Sequence, residues 1–187
     1  VSTPMTHIVV MGVTGAGKST VAQAIAERIG APFVDADDLH PPANRRKLGA
    51  GEPLTDLDRE PWLEAVRTRM AEQSRFTSGS GRDPAPETTA GPGLVVACSA
   101  LRRAYRDILR GVDRPVFFVE LRGDRKLLAA RLAARGGHFA SPRILHSQLA
   151  TLEPLAPDED GISCPTSWAV GQIAATVVAA LRSPRPR

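Results

Sequence analysis

His7-Ile-Val-Val-Met-Gly-Val-Thr-Gly-Ala-Gly-Lys-Ser-Thr20 joins an apolar run to a complete G-x-x-x-x-G-K-S loop, Gly12 to Ser19, and then to a helical pattern. The run from His7 to Met11 is too short and too β-branched for a helix and reads as a buried strand of a parallel sheet. Gly12, Gly15 and Gly17 let the backbone turn tightly and bring its N–H groups up against phosphate oxygens. Lys18 is placed to reach the β- and γ-phosphates, and the Ser19 hydroxyl to ligate Mg²⁺. The helix that follows points its positive N-terminal dipole at the same phosphates. Thr14, Ala16 and Thr20 complete the loop and first turn expected around the nucleotide. A chance glycine-rich turn would not carry both the strand before and the helix after, so the reading is a nucleoside triphosphate site.

The chain has 187 residues, 42% of them apolar and 24% charged, which fits one soluble globular domain. No run approaches the ~20 apolar residues of a membrane helix. Residues 1–6 show no basic region followed by an apolar one, and Cys98 and Cys164 lack metal-type spacing. Reduced thiols and a cytoplasmic location are therefore the expectation. The net charge of +4 raises the question of a nucleic-acid partner. The arginines are spread along the chain and aromatics for base stacking are few, so neither a nucleic acid nor a membrane is expected as partner.

Outward from the loop, residues 20–29 place Val21, Ile25 and Ile29 on one helical face, closed by Gly30. Pro32-Phe-Val-Asp35 reads as a short strand ending in acid. Residues 40–58, rich in Pro, Gly and polar side chains, read as loop or short helix. Asp58 is expected to cap a helix from about Pro61 to Gln73, with Leu63, Val66 and Met70 on its apolar face and Trp62 as a packing residue. Residues 74–93 have no apolar periodicity and read as a flexible insertion. A third strand at 94–98, a helix at 103–110 and a fourth strand at 116–121 follow. Asp124 then caps a helix to Arg135, Pro142 opens another, and residues 161–164 form a weak fifth strand that Pro165 should end early. A last apolar helix covers 170–181. Strands alternating with helices imply a parallel sheet covered on both faces, with ligands at the carboxyl ends of its strands.

A GTPase would carry a guanine-reading N-K-x-D, and none exists here. A large ATPase would end an apolar strand in Asp, whereas 94–98 ends in Cys98 followed by Ser99. The acids follow the second strand instead: Asp35-Ala-Asp37-Asp38. A small-metabolite kinase needs one carboxylate near Mg²⁺ and another near the attacking hydroxyl. Residues two apart on an extended segment face one side, so Asp35 and Asp37 can converge on one cleft. His7 and His146 read as structural or solvated.

Asp35-Ala-Asp-Asp-Leu-His-Pro41, with Asn44, Lys47 and Gly51-Glu-Pro-Leu54, resembles gluconokinases of the thermoresistant type. So do Asp56-x-Asp58-Arg59-x-Pro61-Trp62-Leu63, Cys98-Ser-Ala-Leu-Arg-Arg-x-Tyr-Arg-Asp107, Arg131-x-x-x-Arg135-x-x-His138-Phe139 and Pro157-Asp-Glu159. The resemblance implies phosphorylation of D-gluconate by ATP with Mg²⁺, giving 6-phosphogluconate. It implies a P-loop kinase fold of class α/β, with a five-stranded parallel sheet in the order 2-3-1-4-5, helices on both faces and a mobile lid at about 136–153. Homodimers are common in that family, and the residues themselves leave the oligomeric state open.

Gluconate is an anionic polyol, so its pocket needs cations and polar groups. His40, Lys47, Arg102 and Arg106 are expected to supply them, with His138 joining from the lid. Asp37 is expected at the reacting hydroxyl and Asp35 with Ser19 in the metal shell; the reverse assignment of the acids stays open. Arg131 and Arg135, four apart on one helix face, are expected over the triphosphate. Shikimate or another small hydroxy acid is the alternative acceptor, and a non-catalytic nucleotide-binding regulator the alternative of another class. The stretch Gly-Ile-Ser-Cys-Pro-Thr-Ser-Trp-Ala169 departs from the family pattern where the adenine is often framed.

Overall fold

The computed structural model describes residues 6–77, 93–135 and 142–182, with the side chains of Phe76, Thr77 and Arg135 also outside the description. Strand β1 (His7–Met11) is the centre of a five-stranded sheet with β2 (Phe33–Asp35), β3 (Val95–Ala97), β4 (Val116–Arg122) and β5 (Gly161–Pro165). The order is β2-β3-β1-β4-β5 and every pairing is parallel, as expected. Val9 stands between Val96 and Phe118 in the register.

All five residues of β1 are buried because its alternate side chains enter two cores. Ile8 and Val10 pack with helices α1 (Lys18–Ile29), α5 (Arg125–Arg135), α6 (Pro142–Thr151) and α7 (Val170–Arg182). Val9 and Met11 pack with α3 (Asp56–Thr77) and α4 (Arg103–Arg110). A strand covered on both faces has no polar side to show, which is why the run reads as continuously apolar. Helix α1 ends as its sequence indicates: Gly30 takes φ 66° and its N–H closes on Ala26 and Glu27 carbonyls.

One expected short helix forms, and both ends of the next differ from the sequence reading. Helix α2 (Pro42–Gly49) forms within the Pro- and Gly-rich stretch, its proline at the helix start where no N–H is needed. Helix α3 begins at Asp56, not near Pro61. Thr55 and Asp58 build the start: the Asp58 carboxylate accepts from Thr55 N–H at 2.8 Å, and Thr55 Oγ1 accepts from Asp58 N–H at 3.2 Å. Pro61 then lies inside the helix, where the Leu57 carbonyl loses its donor but Leu57 is 81% exposed to water. At its far end α3 runs to Thr77, so the stretch read as insertion starts within it; residues 78–92 lie outside the described residues. Ser74 is buried against His7, whose Nε2 lies 2.9 Å from Ser74 Oγ, while Leu94 N–H donates to Nδ1 at 3.0 Å.

Pro165 does not shorten β5. Pro165 is its last residue, paired with Arg122, and Thr166 N–H donates to Arg122 O at 2.7 Å. β5 is an edge strand, and there a missing ladder donor is tolerated. Among the described residues no helix is long and apolar enough to cross a membrane.

Candidate active site

Gly12 and Gly17 show why the loop after β1 has its glycines. Gly12 takes φ +146°, and a Cβ there would come within 2.9 Å of Leu121 O. Gly17, at φ +89°, is the N-cap of α1 and carries no capping side chain, so the helix start offers its N–H groups outward. Lys18 Nζ folds back on Val13 O at 3.2 Å, which holds the ammonium over the loop. From α6, Gln148 Oε1 accepts from Thr14 N–H at 2.6 Å.

Asp35 closes β2 opposite this loop. Its Oδ2 accepts from Ser19 Oγ at 2.5 Å and its Oδ1 from Asp37 N–H at 3.1 Å, capping the short 3₁₀ turn Ala36–Leu39. The turn is fastened from below, because the buried Trp62 indole N–H donates to Ala36 O at 2.6 Å. Asp37 therefore leaves the turn into the cleft that Lys18 also lines. Its side chain is 73% exposed, and it lines the cleft together with Lys18 and His40, whose walls take part of its hydration. That desolvation pushes its pKa above the usual carboxylate range; Lys18 opposes the shift, and Asp35 and Asp38 add to it.

On one side of the loop lies a cavity of about 390 Å³ walled by Gly15, Gly17, Thr20, Arg131, Thr166 and Trp168. Arg131 Nη2 donates to Thr166 O at 2.7 Å, and Trp168 keeps 38% of its surface exposed although it is a large apolar ring. Trp168 was not foreseen as a site residue; its signal was an aromatic in the atypical turn after β5. His138 and residues 136–141 lie outside the described residues, as does the Arg135 side chain.

On the other side, beyond Lys18 and Asp37, the cleft is walled by His40, Arg59, Ser99 and α6. Here the expected cations are engaged by other groups of the protein. His40 is buried, stacked on Trp62 with ring centroids 4.2 Å apart, and its Nε2 lies 3.8 Å from Asp37 Oδ1. Burial, then the charges of Arg59 and Arg45, bring its pKa down to about 4, so at neutral pH it is an uncharged imidazole. Lys47 is turned to Asp58, with Nζ 2.7 and 2.8 Å from the carboxylate oxygens. The hydrogen bonds from Lys47 and Thr55 hold Asp58 down at about 2. Arg102 donates to Asp56 at 2.6 Å, and Tyr105 OH bonds the other oxygen of the same carboxylate.

Arg106 does not reach the cleft at all. It is wholly buried, paired through two 2.7 Å bonds with Glu159 and donating to the carbonyls of Ala100, Leu101 and Glu153. Arg110 bonds Glu159 as well. Burial works to raise the Glu159 pKa, but the donors Arg106, Ala156 N–H and Arg110 outweigh it and hold it at about 2. Ala100, at φ 34°, is the one non-glycine residue with positive φ among the described residues. Arg106 thus locks the turn that sets Ser99 in the cleft wall. Arg59, on α3, is the cationic side chain of the cleft that the sequence reading passed over.

Sheet order, glycine loop and facing carboxylates define a P-loop kinase. A family model described as an AAA domain matches residues 8–155. The chain is 47% identical over 152 residues to the gluconokinase of Gluconobacter oxydans, covering 81% of this chain and 78% of that one. It is 39% identical over 157 residues to the thermoresistant gluconokinase of Escherichia coli, covering 83% and 82%. A crystal structure of a gluconokinase from Sinorhizobium meliloti superimposes with TM-score 0.77 at 41% identity, over 96% of this chain and 93% of that one. The chain belongs to the gluconokinase family.

Proposed function

We propose that this protein phosphorylates D-gluconate with ATP, yielding 6-phosphogluconate. The observation that carries the reading is a cavity on each side of the glycine loop, one lined by Gly15, Gly17 and Arg131 and the other by Thr14, Lys18 and Asp37. Backbone N–H groups of the loop and the start of α1 hold the phosphates of ATP, and Trp168 offers its face to the base. Arg131 neutralises charge on the triphosphate, a role that the sequence also assigns to Arg135. Ser19 and Asp35 present adjoining oxygens, a donor set that suits Mg²⁺, which takes one or two protein oxygens and completes its shell with water and phosphate. When bound, the ion neutralises charge on the phosphates.

Asp37 accepts a hydrogen bond from the attacking hydroxyl and takes its proton as the bond to phosphorus forms. A carboxylate with a raised pKa is the better base for this step. Lys18 stabilises the charge that builds on the transferred phosphoryl oxygens. His40, neutral and fixed against Trp62, shapes the wall beside Asp37 without forming an ion pair that would weaken the base. The region 136–153 serves as lid, with α6 bringing Ile144, Ser147 and Gln148 over the cleft to exclude water. A coupled ADP-release assay over gluconate, shikimate, glycerate and nucleoside monophosphates tests the proposal. Gluconate turnover well above the others is expected; turnover on shikimate but not gluconate would overturn it.

A further inference from the structure

Six arginine or lysine side chains around the acceptor side are accounted for by acids or carbonyls. Lys47 has Asp58, Arg102 has Asp56, Arg103 has Asp158, and Arg106 and Arg110 share Glu159. Arg45 is spent on the carbonyls of Asp38 and His40. Arg59 is different. It is only 5% exposed, and no carboxylate or carbonyl among the described residues pairs with its guanidinium. Its nearest natural partners on its own helix are engaged elsewhere: Asp56 by Arg102 and Tyr105, Asp58 by Lys47 and Thr55. What holds it is the face of Tyr105, 5.7 Å from the guanidinium carbon. Desolvation is the largest influence on it and lowers its pKa, which the more distant charge of Asp56 only partly offsets. A buried charge kept without a counter-charge is costly, and folds that keep one put it where a ligand completes the pair. Arg59 lines the same cleft as Lys18 and Asp37.

We propose that Arg59 anchors the carboxylate of the acceptor and sets the preference for sugar acids over neutral polyols. This rests on the reading that the acceptor is a hydroxy acid of the gluconate class. The guanidinium fork matches a carboxylate through two parallel N–H donors, which fixes the far end of the chain as well as binding it. A six-carbon acid held by its carboxyl end presents its terminal hydroxyl away from Arg59, on the Asp37 side. The same burial that leaves Arg59 uncompensated makes the pocket reject an acceptor with no anion to offer.

The test compares wild type, Arg59→Lys and Arg59→Met on gluconate and on glucitol, its analogue with a hydroxymethyl group in place of the carboxylate. Arg59→Met should raise the gluconate KM about 100-fold while leaving the ATP KM within about twofold, and Arg59→Lys should fall between. The gluconate-to-glucitol preference should shrink by a similar factor. The melting temperature of Arg59→Met should hold or rise, because a buried cation without a counter-charge has gone. A gluconate KM within about threefold of wild type, or a loss shared equally by gluconate and glucitol, overturns the anchor. If wild type turns over another hydroxy acid and not gluconate, the substrate reading fails, and the same comparison on that acid and its neutral analogue decides Arg59. Wild-type turnover of neutral acceptors alone would overturn both.

Discussion

On the nucleotide side of the cleft one continuous segment, Gly12 to Ser19, supplies the backbone N–H groups, and Arg131 of α5 adds a side chain. On the acceptor side the polar groups come from the 3₁₀ turn after β2, from α3, from the turn after β3 and from α6. The first is built by chain geometry and the second by side-chain pairing across long stretches of sequence. A loop of backbone donors binds any triphosphate and can do little to choose among partners. Selection of the acceptor falls to the pairing pattern, which decides which charges are silenced and which stay available.

Lys18 belongs to both halves, so its loss should have the largest effect. Lys18→Ala should lower kcat by about 10⁴-fold whatever the acceptor, because it removes charge stabilisation in the transition state. Unchanged ADP release would take Lys18 out of the reaction. Asp37→Asn tests the acceptor half alone: kcat should fall by about 10³-fold with the KM for ATP nearly unaltered. If ATP·Mg²⁺ affinity collapsed instead, titrated by calorimetry, Asp37 would be the metal-shell acid and Asp35 the base.

The pH dependence of stability isolates the silenced groups. His7 and His40 both have folded pKa values of about 4, below the ordinary 6.5; for His7 the causes are burial and then Arg114. An unfolded chain therefore binds protons between pH 6.5 and 4 that the fold refuses. Stability is fully present above 6.5 and declines as pH falls toward 4, by up to about 3 kcal/mol per histidine. Urea unfolding at a series of pH values should show that slope, and His7→Gln should flatten it. An unchanged slope in both proteins would mean the imidazoles protonate freely in the fold. The smallest effect belongs to the nucleotide side: Trp168→Ala should raise the KM for ATP about tenfold, the loss of one aromatic platform, with the KM for gluconate unmoved. An equal rise in both would place Trp168 in the general architecture of the cleft rather than at the base.

The same contrast explains what could be read from sequence. The glycine loop was legible because its chemistry is local: positive φ at Gly12 and Gly17 demands glycine at fixed spacing. The parallel sheet followed from strands alternating with helices, and its strand order from the family resemblance. The acids after β2 were legible as a pair two residues apart, although Asp37 lies in a 3₁₀ turn capped by Asp35 and not on the extended segment that the spacing suggested. The fate of Arg106 was not, since its partner Glu159 lies 53 residues away and only the fold brings them together. Arg102 and Asp56 are 46 residues apart and equally invisible. His40 looked like a cation because burial cannot be seen in its neighbours Leu39 and Pro41. The start of α3 was misplaced because Pro61 advertises a helix N-terminus more loudly than the reciprocal Thr55–Asp58 cap that builds it.

His7 sits at the opposite end of β1 from all of this, and its two ring nitrogens grip both sides of one excursion: Ser74 near the end of α3 and Leu94 where the chain returns. Gly93 lies so close to the backbone of Thr6 that a Cβ would meet its carbonyl oxygen at 2.1 Å. One imidazole thus pins the exit and the re-entry, at the amino end of the sheet, away from the phosphates. Lengthening a connection whose ends are already joined adds little closure entropy, since each doubling costs only about 0.6 kcal/mol. For protein engineering the stretch between Thr77 and Gly93 is accordingly the place to graft a reporter, an affinity handle or a second domain while leaving turnover intact.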